Sequence, residues 1–322
     1  MRPCGVNAGS DIHLLDHIAP LCALWNMPLV VTEETNAELA TTFYPDVKTI
    51  LVENLEHHLK DLVQEYDQLV ECKYWKPHLK TMFRDLYGRD IELIFCPHGM
   101  SEKGRQTPVL APYAYQDQVL FYGQLHRQLL KELKVEAKGT WIGNYRRSYY
   151  ESHRSFYDAL ADRIAIDRTH PTLLYAPTWN DADQATSFFT HASELASTLL
   201  SDWNLIVKLH PLLEQRDPAF FYAIIAKLET RPNTHCITHF PAVYPLLALA
   251  DAYLGDYSSV GYDYLAFEKP MFFLTQPHLP PTRLHECGTI LSSTHALSAA
   301  LDQPNSHQIE QRRLYKDAFF DM

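Results

Sequence analysis

The sequence has no long apolar run, and its first residues do not predict a secretory leader. None of its segments reaches the 18 or more uncharged apolar residues that a membrane-spanning helix needs. The N-terminal stretch MRPCGVNAGSDIHLL lacks the apolar core of a signal peptide. These absences predict a cytoplasmic protein.

Metal and redox motifs are also missing. The six cysteines form no Cys-x-x-Cys pair, which argues against a zinc ribbon or a thioredoxin-type centre, and we expect them to be reduced thiols. No Asp, Glu or His cluster has clear metal-ligand spacing, so we expect no catalytic metal.

There is no excess of basic charge. The chain has 28 Lys and Arg against 39 Asp and Glu, a net charge of −11. That balance argues against a nucleic-acid partner and against electrostatic docking on an anionic membrane. With 46% hydrophobic and 21% charged residues, the composition is typical of a soluble globular protein, and 322 residues suggest about two domains.

Short apolar runs alternate with helix-length amphipathic segments along the chain, a pattern that predicts an α/β fold with parallel sheets. Two such series predict two Rossmann-like domains, residues 1–150 and 151–305, followed by a C-terminal helix, 306–322. The domain boundary is expected in the polar, tyrosine-rich stretch Gly143–Asp167, itself partly helical. Met1–Gly9 is a poorly defined strand because it contains Pro3, Gly5 and Gly9.

Ligands of open α/β sheets bind beyond the carboxyl ends of the strands, which directs attention to the residues that follow each strand. His98 comes directly after the predicted strand Ile91–Cys96, and Gly99 lets the backbone turn there. A histidine in this place fits a general base, because its ordinary pKa lies near neutrality. A structural histidine in a turn is the alternative.

Two further strands end in polar residues. The first continues into Pro177-Thr178-Trp179, which offers a hydroxyl and an indole or simply terminates the strand. The other delivers His210, with Pro211 stopping the strand. The His210 imidazole is suited to donate a hydrogen bond to a phosphate or sugar oxygen, or to cap the next helix.

A strand-to-helix transition at Leu254–Gly261 has the pattern of a phosphate site. An apolar strand is followed by Gly255-Asp256-Tyr-Ser258-Ser259 and then a helical run. Hydroxyls and free N–H groups at such a helix start bind phosphate well. Capping of the helix by the serines and Asp256 is the alternative.

Between His98 and Arg154 the local charge is positive. Nine Lys and Arg face five Asp and Glu, 9 − 5 = +4 within a chain of −11. Such a segment beside the His98 loop is able to attract an anionic substrate, or it is a solvated helical face.

Three motifs in this order carry a resemblance to a known family: Tyr175-Ala-Pro-Thr-Trp179, Lys208-Leu-His-Pro211 and Asp256-Tyr-Ser-Ser259. Together with His98-Gly99 and the following Lys103, they resemble the CDP-glycerol glycerophosphotransferase family, which includes teichoic-acid primases and polymerases. The resemblance implies a GT-B-like fold, in which two Rossmann-like domains face a central cleft.

The resemblance also implies roles for matching residues. His98 is expected to be the base that deprotonates an acceptor hydroxyl, and His210 to contact the donor's phosphates. Donor binding is expected from Thr178, Asp256, Ser258 and Ser259, and further substrate contacts from Gly99, Lys103 and Ser10. The donor is expected to be a CDP-alcohol, with no metal or other cofactor. Expected partners are that donor and a glycan or lipid-linked acceptor, with peripheral contact at the inner face of the membrane and no nucleic acid.

Two other functions stay open at this point. A GT-B glycosyltransferase that uses a nucleotide sugar needs the same nucleotide diphosphate site. A non-catalytic GT-B module that binds a nucleotide or partner is the third alternative.

Overall fold

A computed structural model describes residues 1–102, 108–303 and 308–320. The chain divides into two compact units. Unit 1 comprises Met1–Met100, Gly104–Ser152 and Phe319–Met322, and unit 2 comprises Ser101–Lys103 and His153–Ala318.

Unit 1 is built on a seven-stranded sheet in the order β3-β2-β1-β4-β5-β6-β7, with every neighbouring pair parallel. Its strands are β1 (Pro3–Asn7), β2 (Leu29–Val31), β3 (Thr49–Leu51), β4 (Gln68–Glu71), β5 (Glu92–Phe95), β6 (Gln118–Phe121) and β7 (Gly139–Trp141). The helices are α1 (Leu15–Leu24), α2 (Glu34–Phe43), α3 (Leu55–Glu65), α4 (Leu79–Tyr87), α5 (Gln124–Glu132) and α6 (Tyr145–Ser152), with 3-10 turns at Ile12–Leu14 and Pro108–Tyr115.

Unit 2 is built on a six-stranded parallel sheet in the order β10-β9-β8-β11-β12-β13. Its strands are β8 (Thr172–Tyr175), β9 (Asn204–Lys208), β10 (Thr234–Ile237), β11 (Ala252–Gly255), β12 (Met271–Leu274) and β13 (Thr289–Leu291). The helices that begin in this unit are α7 (Arg154–Asp162), α8 (Phe188–Thr198), α9 (Pro211–Arg216), α10 (Pro218–Leu228), α11 (Val243–Leu249), α12 (Val260–Tyr264), α13 (Leu297–Leu301) and α14 (Ile309–Phe320), with 3-10 turns at Leu265–Phe267, Arg283–Cys287 and Thr294–Ala296.

Each sheet is doubly wound, because the strand order runs outward in one direction and then reverses. The reversal lies between β1 and β4 in unit 1, and between β8 and β11 in unit 2. The predicted alternation of parallel strands and helices is therefore confirmed. In such sheets the loops on both sides of the reversal diverge and leave room for a ligand at the carboxyl edge.

The first strand differs from the expectation. Although Met1–Gly9 predicts a poor strand, β1 is a well-formed strand that pairs with β2 and β4. Pro3 is tolerated as the first residue of the strand. Gly5 is required by packing, since a Cβ built on it would lie 2.4 Å from the Cys22 sulfur on α1. The close packing of α1 against β1 therefore explains why glycine, a residue of low strand propensity, occupies position 5.

The chain passes from one unit to the other at the end of helix α6. Helix α6 ends at Ser152 in unit 1, and the next residue, His153, belongs to unit 2. Among the described residues, Ser101 and Glu102 belong to unit 2, and Phe319 and Phe320 belong to unit 1, so neither unit is one continuous stretch of chain. Within the described residues, the C-terminal helix is α14, Ile309–Phe320.

Among the described residues no helix has both the length and the apolar character needed to cross a membrane.

The core of unit 1 contains a buried histidine. His126 on α5 is 2% exposed, and its ring contacts Tyr113, Phe121 and Tyr122. Burial lowers the pKa of His126 to about 4. The folded protein therefore holds this ring neutral at pH values at which the unfolded chain protonates it.

We expect His126 to make folding sensitive to mild acid. Between pH 6.5 and about 4 the unfolded state binds a proton that the folded state excludes, so the free energy of unfolding falls as the pH falls. His126→Gln should flatten this dependence by at most about 1.4 kcal/mol per pH unit. Urea unfolding at several pH values measures it, with the exposed His57→Gln as control. Parallel curves for wild type and His126→Gln would contradict the assignment.

Candidate functional site

His98 lies in an exposed turn after β5, where the backbone fixes its tautomer. Its Nδ1 is 3.2 Å from the carbonyl oxygen of Cys72, which follows the neighbouring strand β4. A carbonyl oxygen only accepts hydrogen bonds, so Nδ1 donates its proton. In the neutral ring Nε2 is then the nitrogen that accepts a proton, as a general base requires.

The His98 ring contacts two other histidines edge to face. The ring centroids of His13 and His17 lie 6.2 and 6.3 Å from that of His98. Gly99 has a φ of +96°, a conformation that favours glycine. His17 is buried, and its pKa lies well below the usual range because of burial first and the nearby Arg146 charge second. A neutral His17 places no full charge against His98.

Ser10 lies in a loop that the fold holds in place at the strand reversal of unit 1. The loop follows β1, and Gly9 in it donates its N–H to Thr32 Oγ1 at 2.8 Å. From the other side of the reversal, Lys73 Nζ lies 2.6 Å from the Ala8 carbonyl oxygen and 2.7 Å from Asp11 Oδ2. Ser10 itself is exposed beside this pair.

Glu71 ends β4 and is a titratable group that the sequence did not reveal. Burial raises its pKa to about 7, with Lys73 lowering it and Asp11 raising it. The Glu71 carboxyl therefore gives the carboxyl edge of the unit 1 sheet a charge that changes near neutral pH.

His210 follows β9 and has the opposite tautomer to His98. The backbone N–H of Leu212 donates to His210 Nδ1 at 3.2 Å, as His210 caps helix α9. Because Nδ1 accepts, the proton of the neutral ring is on Nε2. The ring is stacked beside Trp179, with centroids 6.3 Å apart. His210 therefore caps the helix, as the alternative proposed, and still presents an N–H donor.

Asp256 spans the strand reversal of unit 2 and is completely buried. Its Oδ1 accepts from the N–H groups of Thr178 at 2.9 Å and Ser258 at 3.1 Å. Its Oδ2 accepts from Ser187 twice, from N–H at 2.8 Å and from Oγ at 2.9 Å. These four bonds use the carboxylate internally, so we expect Asp256 to shape the donor site instead of contacting the donor.

A chain of hydroxyls extends from this carboxylate. Since the Ser187 hydroxyl donates to Asp256, the Tyr175 hydroxyl donates to Ser187 Oγ, with 2.8 Å between the two oxygens. Burial and the Asp256 charge raise the pKa of Tyr175 well above its usual range, so the donor proton is retained. The carboxylate thus joins the ends of β8 and β11 to the start of α8.

The remaining predicted donor residues lie around this carboxylate. Thr178 and Ser258 are buried, and Ser259 is half-buried at the start of α12. Ser259 occupies the cap position of this helix, but its side chain makes no capping hydrogen bond. Lys103 lies outside the described residues.

Several charges of the basic segment have partners within their own unit. Arg146 is buried and pairs with Asp16 at 2.8 Å, and Arg147 and Arg154 pair with carboxylates on their own helices. Three of the nine positive charges of this segment are therefore paired with a carboxylate. In residues 1–102, 108–303 and 308–320, no group of three or more His, Cys, Asp and Glu side chains is arranged to hold a metal.

Besides Glu71, two residues at the site escaped the sequence reasoning. Tyr122 follows β6, so the rule that identified His98 applied to it as well. Ser187 precedes α8, and a serine before a helical run is a known capping signal, although its side chain makes no capping hydrogen bond here. Both lie next to apolar residues that resemble core.

Residues 147–278 match the family model described as CDP-Glycerol:Poly(glycerophosphate) glycerophosphotransferase. This match confirms the resemblance that the ordered motifs indicated. It includes Thr178, His210, Asp256 and both serines, and it begins after His98.

Curated relatives carry corresponding names. A teichoic acid glycerol-phosphate primase from Bacillus spizizenii is 30% identical over 131 residues, 40% of this chain and 31% of the relative. The teichoic acid ribitol-phosphate polymerase TarK from Staphylococcus aureus is 26% identical over 175 residues, 50% of this chain and 33% of the relative. The matches thus span about a third of each relative. These names agree with the prediction of a CDP-glycerol glycerophosphotransferase-like enzyme.

Solved structures share the fold. The wall teichoic acid polymerase TagF superposes with a TM-score of 0.66 at 14% identity, covering 99% of this chain and 84% of that chain. A UDP-GlcNAc 2-epimerase from Neisseria meningitidis superposes with a TM-score of 0.58 at 13% identity, covering 99% and 94%. The predicted α/β, GT-B-like fold is confirmed.

We expect Asp256→Asn to destabilise unit 2 and weaken nucleotide binding. In asparagine one of the two carboxylate oxygens is replaced by an amide nitrogen, which cannot accept a hydrogen bond. Each oxygen of Asp256 accepts two hydrogen bonds, so at least two buried donors lose their acceptor. The expected loss is about 2–4 kcal/mol of unfolding free energy. Urea unfolding and calorimetric titration with CDP measure the two effects.

Asp217→Asn is the matched control. Asp217 is exposed and accepts one hydrogen bond, from Phe220 N–H at the start of α10. Asparagine caps helices as well as aspartate, so stability should change little. Equal behaviour of the two variants would contradict the role given to Asp256.

Proposed function

We propose that this protein is a transferase that moves a glycerol-phosphate or ribitol-phosphate unit from a CDP-alcohol to a hydroxyl of a cell-surface glycan or lipid-linked acceptor. CMP is the leaving product. The ordered motifs, the family match over residues 147–278 and the geometry at the carboxyl edges of the two sheets support this proposal.

The observation that carries the proposal is the pair of opposite histidine tautomers. The Cys72 carbonyl keeps the proton of His98 on Nδ1, and the Leu212 N–H keeps that of His210 on Nε2. One ring is therefore prepared to accept a proton and the other to donate a hydrogen bond. Phosphoryl transfer to a hydroxyl needs both functions.

His98 is the proposed general base. Its Nε2 takes the proton from the acceptor hydroxyl while the oxygen attacks the β-phosphorus of the donor. The bond between the β-phosphorus and the bridging oxygen breaks, and CMP leaves with that oxygen. The new phosphodiester joins the polyol phosphate to the acceptor.

Unit 2 is the proposed donor-binding unit. His210 Nε2–H donates to a phosphate oxygen and stabilises the charge on the leaving CMP. The hydroxyls of Ser258 and Ser259, with Thr178, bind the diphosphate, and Asp256 fixes the loops that carry them. Positioning and hydrogen bonding supply the catalysis, and no metal is invoked in these steps.

We also propose that the protein acts on the cytoplasmic side of the membrane. The cytoplasmic side is where nucleotide-activated donors are available, and a lipid-linked acceptor brings the protein into peripheral contact with the membrane. Fractionation of cells that produce the full chain tests it.

The donor class is tested by product release. We expect CMP from CDP-glycerol or CDP-ribitol in the presence of acceptor, detected by chromatography, and no UDP from UDP-sugars. Release of UDP from a sugar donor alone would support the GT-B glycosyltransferase alternative. Binding without any turnover would support a non-catalytic module.

Glutamine substitutions separate the roles of the two histidines. A glutamine amide donates a hydrogen bond but is not a base at neutral pH. We therefore expect His98→Gln and His98→Ala to lose kcat equally, by about 10²–10⁴-fold. His210→Gln should retain more activity than His210→Ala.

Steady-state rates of CMP release measure all four variants, with His57→Gln as a surface control. Equal losses for His210→Gln and His210→Ala would contradict the donor role. Full activity of His98→Ala would contradict the base.

A further inference from the structure

Tyr122 is a fully buried residue whose hydroxyl contacts both sides of the His98 turn. It follows β6 and is 1% exposed. Its Oη lies 2.8 Å from the Pro97 carbonyl oxygen, before His98, and 3.1 Å from the Gly99 nitrogen, after it. A third neighbour is His17 Nδ1, at 2.9 Å.

Counting protons fixes the direction of these three bonds. The hydroxyl has one proton, and the Pro97 carbonyl can only accept it. Gly99 N–H can only donate, so it uses one lone pair of the oxygen. His17 Nδ1 must then donate to the other. Tyr122 Oη therefore donates its proton to Pro97, the residue before His98, and accepts a hydrogen bond from Gly99, the residue after it.

The phenol ring is held as firmly as the hydroxyl. It stacks with Tyr145 at 6.0 Å and 12° and with His126 at 6.0 Å and 25°. The guanidinium of Arg146 lies 5.9 Å from its centroid. Arg146 is itself fixed by the buried Asp16. The position of the hydroxyl is therefore set by the core of unit 1.

His17 connects this hydroxyl to the His98 ring. It donates to Tyr122 through Nδ1, and its ring contacts that of His98 edge to face. The Tyr145 hydroxyl donates to the His17 carbonyl at 2.9 Å and anchors that residue. Buried side chains of unit 1 thus contact both the backbone turn and the ring of His98.

We propose that Tyr122, held by His17, is a positioning residue for His98. Its hydroxyl fixes the Pro97–Gly99 turn, so that the imidazole keeps its Nδ1–H directed at the Cys72 carbonyl and presents Nε2 to the acceptor hydroxyl. The catalytic part of this inference rests on the proposed function, whereas the tautomer part stands on the hydrogen bonds alone. A displacement of about 1 Å is enough to lower a rate about a hundredfold.

Tyr122→Phe removes only the oxygen and keeps the stacked ring. We expect kcat for CMP release to fall ten- to a hundredfold, with KM for the CDP-alcohol changed less than twofold, because the donor residues lie in unit 2. In a His98→Ala background the same substitution should cause no further loss, because a positioning residue acts only through its partner.

A readout without turnover separates this proposal from the proposed function. Nitrogen-15 shifts of the His98 imidazole should show the Nδ1–H tautomer in wild type and a mixture of tautomers in Tyr122→Phe. Absence of transferase activity in the wild type would overturn the proposed function and the catalytic part of the inference. The tautomer shift would still decide whether Tyr122 positions His98.

The control is Tyr66→Phe, which removes a hydroxyl of the same unit that hydrogen-bonds the Glu65 side chain and lies in a separate apolar cluster. Its kcat and His98 tautomer should match wild type. If Tyr122→Phe does not fold, His17 supplies the test. His17→Asn retains a donor near the Nδ1 position and should keep more activity than His17→Leu.

Two results would overturn the proposal. One is a Tyr122→Phe protein with wild-type kcat and the wild-type His98 tautomer. The other is an equal loss of rate with and without His98, since that would show a general structural effect.

Discussion

A buried polar group costs free energy unless it is hydrogen-bonded within the fold, and each unit satisfies one such group at the carboxyl edge of its sheet. In unit 2 the group is the Asp256 carboxylate, with four donors from three segments. In unit 1 it is the Tyr122 hydroxyl, with three partners around the His98 turn. Any loop movement there breaks a buried bond, so loops that would otherwise be mobile are held in defined positions.

The same constraint turns two similar histidines into different chemical groups. Neither His98 nor His210 needs a charged neighbour to acquire its role, because one backbone carbonyl and one backbone N–H decide which nitrogen carries the proton. This arrangement suits an acidic protein that is proposed to handle a phosphorylated donor. Local hydrogen bonds, and not the net charge of −11, determine what the site can bind.

Much of the fold was accessible from periodicity, because buried parallel strands are short apolar runs and the helices between them are amphipathic. The exceptions have physical reasons. Strand β1 contains Gly5 because α1 packs against it too closely for a side chain, so tertiary packing removed the strand signal. Of the candidate site, the strand-end rule found His98, His210 and the Asp256 segment. Tyr122 and Ser187 were missed because each adjoins apolar residues in the sequence, whereas the polar partners of their hydroxyls lie far along the chain.

The sequence by itself determined the α/β alternation, the order of the motifs and the residues at the strand ends, because these depend on local periodicity and on residue type. Only the tertiary structure decided that Asp256 is an internal hydrogen-bond acceptor, that His98 and His210 have opposite tautomers, and that Tyr122 supports the turn. These arrangements depend on partners 23 to 105 residues away, apart from the Leu212 partner of His210 and the Ser258 partner of Asp256, which are two residues away. Spatial neighbours at the larger separations follow from sheet order and packing.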